Sequence, residues 1–336
     1  MRPRSEYYLM LLGDKVLDRV DVIRDVVEDA LESFILERMS REHESISMGI
    51  AKETILAGGK RMRPILGLLA YEACGGEEVS EVMDSALSAE LLHTATLIHD
   101  DINDQAKMRR GRPALHVTHG VPRAIIAGDY LFSIGFQLGA GYSEKVVDLV
   151  SSSCFGLAAG ELRQLNHVRD LSMSPEDYYA IIDGKTAGPF STGGAVAAIV
   201  AGAPQELVDL MKSFGIELGR AFQLVDDLLD LTGDSSMGKP RGTDIHEGKM
   251  TLPLIHGLTI LHGSEREQLE DVLTNFSDAR WEELMYLLEC SGSIDYSKLL
   301  IGNHVDRAIE YMEELPDSRA RTMMLEMAES SRFRKT

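Results

Sequence analysis

Leu91-Leu92-His93-Thr94-Ala95-Thr96-Leu97-Ile98-His99-Asp100-Asp101-Ile102-Asn103-Asp104 is an apolar helical run that closes on a D-D-x-x-D signature. The signature recurs at Asp226-Asp227-Leu228-Leu229-Asp230, behind Ala221-Phe222-Gln223-Leu224-Val225, and the first aspartates of the two copies are 226 − 100 = 126 residues apart. At 3.6 residues per turn, the first and fifth aspartates of each copy share a helix face, about 6 Å apart along the axis. Six carboxylates opposed across a cavity demand cations. Hard oxygen donors that keep water in the coordination shell select Mg²⁺, which in turn seeks phosphate oxygens. The pair predicts a diphosphate held through bridging metal ions.

Outward from these motifs, helical periodicity runs almost throughout, and the spacing predicts an all-α protein. Asp21 to Met39 reads as an amphipathic helix with Val22, Val26, Ala30 and Phe34 in register, and Glu81 to Asp101 as a longer one. Ser174-Pro175-Glu176-Asp177 has the grammar of a helix start: a capping hydroxyl, proline in the first turn, then acids at the positive dipole end. Ala203-Pro204-Gln205-Glu206 is similar, and we expect that helix to end at Gly215. No Pro/Gly/Ser-rich linker interrupts the chain, so residues 1–336 are expected to form a single large helical domain.

The formal net charge is −20, from 34 Lys and Arg against 54 Asp and Glu, which argues against nucleic acid as partner. Cys74, Cys154 and Cys290 are odd in number and lack metal-binding spacing, as suits a reduced compartment. Tyr7 to Leu12 is too short for a signal peptide. Ala187 to Ala203 is apolar, but its glycines, alanines and Pro189 suit close helix packing better than lipid. We expect a soluble, cytoplasmic protein with no transmembrane segment.

Against the acidic background, the basic clusters carry information. Gly58-Gly59-Lys60-Arg61-Met62-Arg63-Pro64 combines glycines that permit close backbone approach with Lys60 and Arg63, spaced to reach one anion. Met108-Arg109-Arg110-Gly111-Arg112-Pro113 follows the first acidic motif within a few residues, placed to grip phosphate oxygens the metals leave uncovered. Lys185-Thr186, Lys239 and Lys249 add further cations. Two acidic and two basic motifs predict two anion sites, one with metals and one without.

The ordered set GGKRMRP at 58–64, LLHTATLIHDDINDQAKMRRGRP at 91–113, AGDYLF at 127–132, GELRQL at 160–165, GKT at 184–186 and FQLVDDLLD through GKPRGTDIHEGKMTLP at 222–253 resembles the trans-type polyprenyl (isoprenyl) diphosphate synthases, of the geranylgeranyl and medium-chain kind. The resemblance implies the isoprenoid synthase fold, a helical bundle around a central catalytic cavity, and a homodimer. It implies that an allylic diphosphate (dimethylallyl, geranyl or farnesyl) ionises, isopentenyl diphosphate attacks, and proton loss, with the departing diphosphate as base, yields a longer allylic diphosphate. By the same resemblance Asp100, Asp104 and Asp226 hold Mg²⁺, about three ions per active site, with Asp101, Asp227 and Asp230 supporting or binding through water. Arg109, Lys185 and Lys239, with Lys249 nearby, match the grip on the allylic diphosphate. Gly59, Lys60, Arg63, His93 and Arg110 match the metal-free site for isopentenyl diphosphate. Thr186 and Gln223 match groups that stabilise the carbocation. The segment Ala187-Gly188-Pro189-Phe190-Ser191 departs from the smoother apolar run of relatives, and Pro189 is expected to kink the helix there.

In such enzymes the residues just before the first acidic motif floor the growing-chain pocket. Here they are Ala95 and Thr96, both small, where short-chain relatives place an aromatic. One helical turn rises about 5.4 Å, close to one isoprene unit, so each turn without a plug admits about one more. Further down lie Leu92 and Ser88, which leaves the tunnel open to extend past Leu92; Phe132, Phe136 and Phe155 are candidate plugs or ordinary core. The expected product is C20 or longer. A terpene cyclase would not need the GGKRMRP anion site or a second D-D-x-x-D, and a non-catalytic subunit of a heteromeric synthase would lack aspartates that are all present here.

Overall fold

The computed structural model describes residues 16–233 and 241–332, and nearly all of them are helical. They gather into two compact units, neither of which is one continuous stretch. The first takes the chain up to Val150 with Gly193–Val208 and Leu315–Met324; the second takes Ser151–Thr192, Asp209–Glu314 and the chain from Leu325.

In the first unit, α1 (Val16–Met39) buries Ile23, Val27, Leu31 and Ile35, with Val27 and Leu31 fully buried. This stripe is rotated one residue from the expected one; Val22, Val26, Ala30 and Phe34 flank it, half-buried. Both sets have helical spacing, and packing against the neighbouring helices selects the Ile23, Val27, Leu31 and Ile35 set as core. α2 (Ser45–Ile55) leads to α3 (Met62–Ala73), and α4 (Val79–Asn103) carries the first acidic motif to its C-terminus. A two-residue hairpin, β1 (Met108–Arg109) with β2 (Arg112–Pro113), and the short α5 (Leu115–His119) precede α6 (Val121–Gly139).

α4 and α6 pack along their length because α6 offers glycines where α4 offers side chains. His99 lies over Gly128 and Leu92 over Gly135, so that a Cβ at either glycine would fall within 2.6 Å of the opposing side chain. The Ser88 hydroxyl donates to the Gly135 carbonyl at 2.7 Å.

In the second unit, α7 (Glu144–Asn166) runs in from the first. α8 (Pro175–Ile182) starts as expected: the Ser174 hydroxyl accepts from the Asp177 amide at 3.1 Å. The expected kink at Pro189 takes a specific form. Asp183–Ala187 is one π-helical turn, closed by the Gly188 amide on the Asp183 carbonyl, and α9 (Gly188–Val200) continues from it. Proline has no N–H and its ring collides with the carbonyl four residues back, so widening the turn by one residue removes the conflict.

Glycines seat this turn on both sides. A Cβ on Gly184 would come within 2.4 Å of the Gly156 carbonyl in α7, and one on Gly219 within 2.5 Å of the Ala187 Cα. α10 (Gln205–Thr232) therefore does not stop at Gly215, which is mid-helix and touches Ser191. The glycine serves close packing, not termination. α11 (Thr243–Glu247), α12 (Leu252–Ile260), α13 (Gly263–Thr274), α14 (Trp281–Cys290), α15 (Ser293–Glu313) and α16 (Arg319–Arg332) follow. Among the described residues no helix is long and apolar enough to cross a membrane.

Candidate active site

The basic loop of the first unit is held by a residue the motif reading passed over. Arg61 is 2% exposed and sits in the left-handed region (φ 50°) at the start of α3. It donates to Glu28 at 2.7 Å, to Glu90 at 2.5 Å and to the Ile55 carbonyl at 2.6 Å. Burial opposes its charge, but the two glutamates raise its pKa all the same. Arg61 thus anchors the loop from inside, while Lys60 and Arg63 flank it.

Arg110 reaches the same loop from the hairpin. Arg110 and Gly111 both have positive φ (50° and 75°), as a tight two-residue turn requires. The Arg110 guanidinium donates to the Gly58 carbonyl, and a Cβ on Gly59 would sit 2.8 Å from it. The φ of 153° at Gly59 favours glycine there, and its lack of a Cβ leaves room for the Arg110 guanidinium.

His93, half-buried on α4, completes this cluster. Its pKa is held well below the usual value by burial and then by Arg63, Arg110, Arg109 and Arg61. Residues 59, 63, 93 and 110, spread over 52 positions, are brought together as one positive cluster, with Lys60 beside it in the loop. A neutral imidazole there donates one hydrogen bond, and an arriving anion would favour its protonation.

Arg109 and Asp101, assigned to different ligands by the motif reading, are partners here. Asp101 is 2% exposed and accepts from the Arg109 Nε at 2.8 Å and from a second guanidinium nitrogen. A buried carboxylate needs such a counter-charge. Asp100 and Asp104, half-buried one turn apart, remain on the more accessible face. Ala95 is fully buried and Thr96 9% exposed, its hydroxyl turned back to the His93 carbonyl. Phe132 stacks on His99 with ring centroids 5.9 Å apart, whereas Phe155 is 73% exposed and is neither plug nor core within the chain.

The second unit carries the remaining motif residues. Lys185 lies in the π turn, donating to Gln164 at 2.8 Å and paired with Glu161. Thr186 donates to the Gln223 carbonyl oxygen at 2.8 Å, and the Gln223 amide donates to Asp227 at 2.8 Å. Asp227, 4% exposed, also accepts from the Tyr178 hydroxyl at 2.6 Å. Burial, with Asp226 and Asp230 beside it, still raises its pKa. Asp230 accepts from the amides of Thr243 and Asp244 at 3.1 Å, and Asp244 itself is raised far above the carboxylate range by burial and by Asp227 and Asp230. Lys249 pairs with Glu247 at 2.6 Å. Lys239 lies outside the described residues.

Among the described residues no three carboxylates or imidazoles form a ready-made metal cage. The donor set nevertheless fits Mg²⁺, which binds through one or two carboxylates, its own waters and substrate phosphates. The pKa values of Asp227 and Asp244 are raised first by burial and then by neighbouring carboxylates, and a dication nearby would favour their charged forms. Tyr178, Asp244 and Glu161 were not singled out in the sequence, although Asp244 and Glu161 lie within the motifs GTDIHEG and GELRQL.

The family pattern described as polyprenyl synthetase matches residues 44–289. The chain belongs to this family. It is 34% identical over 312 residues to an all-trans-nonaprenyl-diphosphate synthase (geranyl-diphosphate specific) of Rhodobacter capsulatus, covering 91% of this chain and 95% of that one. It is 35% identical over 320 residues to a short chain isoprenyl diphosphate synthase of Methanothermobacter thermautotrophicus, covering 94% and 98%. A solved polyprenyl synthase from Caulobacter crescentus, complexed with calcium and isoprenyl diphosphate, is similar at TM-score 0.87 and 30% identity, over 96% of this chain and 100% of that one. This family member is a chain-elongating trans-prenyl diphosphate synthase, a transferase of isoprenyl diphosphates that uses divalent metal ions.

Proposed function

We propose that the enzyme condenses isopentenyl diphosphate with an allylic diphosphate (dimethylallyl, geranyl or farnesyl) to give an all-trans product of C20 or longer. The observation that carries this reading is the clustering of Arg63 and Arg110 around His93, with Arg110 bonded to the Gly58 backbone, which supports an anion site held by cations of the basic motifs. In this reading it holds isopentenyl diphosphate. Asp100, Asp104 and Asp226 hold Mg²⁺, about three ions per site, with Asp101, Asp227 and Asp230 in support or binding through water. When bound, Mg²⁺ neutralises the charge that develops on the leaving diphosphate.

Lys185, Arg109, Lys239 and Lys249 then orient the allylic diphosphate, and the Thr186 and Gln223 oxygens face the developing cation. Gln223 is fixed for this by its bonds to Thr186 and Asp227. Leu92 seated on Gly135, with Ser88 bonded behind it, fills the turn below Ala95. That filling supports a floor at Leu92 and the C20 end of the range.

Two further readings belong with this one. Exposed apolar side chains in each unit, Ile125 (41%) and Ile126 (59%) on α6 and Phe155 (73%) and Leu162 (64%) on α7, support a homodimer. Three unpaired cysteines support the cytoplasm. Residues 1–336 are read as one synthase domain. The test is incubation with labelled isopentenyl diphosphate, Mg²⁺ and each allylic primer, followed by sizing of the dephosphorylated products. Elongation to C20 or beyond is expected; no elongation with any primer refutes the reading.

A further inference from the structure

Six residues of the second unit take no part in the chemistry above, yet they form a closed charged network behind the π turn. Arg220, on α10, donates to both carboxylate oxygens of Asp183 at 2.7 Å. It also reaches Glu217 at 3.3 Å, and its guanidinium lies 5.5 Å from the Tyr179 ring centroid. Glu217 is bonded to His304 of α15 at 2.6 Å and lies 3.7 Å from Arg307, while the Tyr179 hydroxyl is 3.0 Å from the second His304 nitrogen. Glu217 and His304 are buried. Hydrogen bonding to Asp183 raises the Arg220 pKa, so it stays charged throughout the working range.

Asp183 is the first residue of the π turn. Its carbonyl accepts the i+5 bond that defines the turn, and its carboxylate is clamped from α10. Residues two and three positions on are Lys185 and Thr186. We propose that Arg220, gripped between Asp183 and Glu217, is a positioning residue that fixes the π turn and so sets where Lys185 and Thr186 meet the allylic diphosphate. This rests on the roles given to Lys185 and Thr186 above.

Two physical effects combine. A wide helical turn is a rare conformation that persists only when its surroundings over-determine it. The bidentate pair supplies that constraint with more geometric specificity than a single hydrogen bond. The second effect is electrostatic. An unpaired Asp183 carboxylate two residues from Lys185 would repel an incoming diphosphate; Arg220 offsets that charge and, with Arg307, the charge of Glu217.

The test compares Arg220→Met, Asp183→Asn and the double variant. Arg220→Met is expected to lower kcat/KM for the allylic substrate by about 10-fold or more, with KM for isopentenyl diphosphate within about 2-fold of the parent. In the double variant the unpaired charge is gone, and about half of that loss or more should be recovered. Hydrogen exchange at the amides of residues 184–188 reads the positioning without any turnover. It should accelerate in Arg220→Met while α12 and α13 are unchanged. An inactive parent enzyme would refute the proposed function and leave this exchange readout to decide. Unchanged exchange at 184–188 overturns the proposal, as does equal loss for both substrates or a double variant no better than Arg220→Met. If Arg220→Met does not fold, Asp183→Asn carries the test, since it removes the clamp without leaving a bare charge; wild-type kinetics and exchange there overturn the proposal.

Discussion

Replacing Arg61 by Met should destabilise the protein more than its place in a basic surface motif suggests. Arg61 is 2% exposed and Glu90 3%, so removing the guanidinium strands the Glu90 carboxylate in the interior. Breaking a buried pair in this way costs about 3–5 kcal/mol. Glu28 keeps partial access to solvent, its side chain 29% exposed, and adds little. With a urea slope of at least about 3 kcal/mol per molar for a chain of this size, the unfolding midpoint should fall by about 1 M. Arg61→Met/Glu90→Leu removes both charges and should recover about half of the loss or more, because an apolar pair tolerates the site better than one bare charge. Circular dichroism during urea titration measures both. A single variant within about 1 kcal/mol of the parent, or a double variant no more stable than the single, would refute the reasoning. Because Lys60 and Arg63 flank the anchor, the folded fraction of Arg61→Met should also bind isopentenyl diphosphate more weakly.

Other expectations follow from the same geometry. Ala95→Phe puts an aromatic ring at a fully buried position above Leu92; products should shorten by about one isoprene unit or more, and an unchanged distribution removes Ala95 from the floor. His93→Ala should raise KM for isopentenyl diphosphate by about 10-fold while leaving allylic KM nearly unchanged; ¹⁵N NMR of the parent should show a neutral ring at pH 6.5 that protonates more readily once diphosphate is bound, and a ring already charged in the free protein would contradict the site's electrostatics. Glu44 links acid stability to the first unit: burial would raise its pKa, but Tyr130, Arg41 and Arg38 bring it from 4.5 to about 2. A depressed folded value contributes stability that is complete above pH 4.5 and lost as pH falls from there toward 2, here up to about 3 kcal/mol. Glu44→Gln should flatten that acid limb in thermal melts; an unchanged limb would show the pairing to be energetically idle.

What could be read from the sequence was whatever depends on local order. The helical period, the Ser174 cap and the acidic and basic motifs needed only neighbours along the chain. What could not be read depended on which distant groups met. Gly215 looks like a helix stop until Ser191 is found against it. Pro189 announces a disturbance, but only Gly156, Gly184 and Gly219 explain why it is absorbed as one wide turn. Asp101 and Arg109 carry separate labels as motif members, yet burial makes them each other's counter-ion. Arg61 sits among surface cations in sequence and is the innermost of them in space. The one-residue rotation of α1 arises because two apolar stripes share a period and only the partner helices choose between them.

The central claim is that two diphosphates are handled differently, one through metal and carboxylates and one by the basic cluster alone. Calorimetric titration with isopentenyl diphosphate and with a non-reactive thio analogue of farnesyl diphosphate, each in Mg²⁺ and in EDTA, tests it directly. Removing Mg²⁺ should weaken the allylic analogue by about 100-fold or more and isopentenyl diphosphate by no more than a few-fold. Equal dependence of both ligands on Mg²⁺, or of neither, would contradict it.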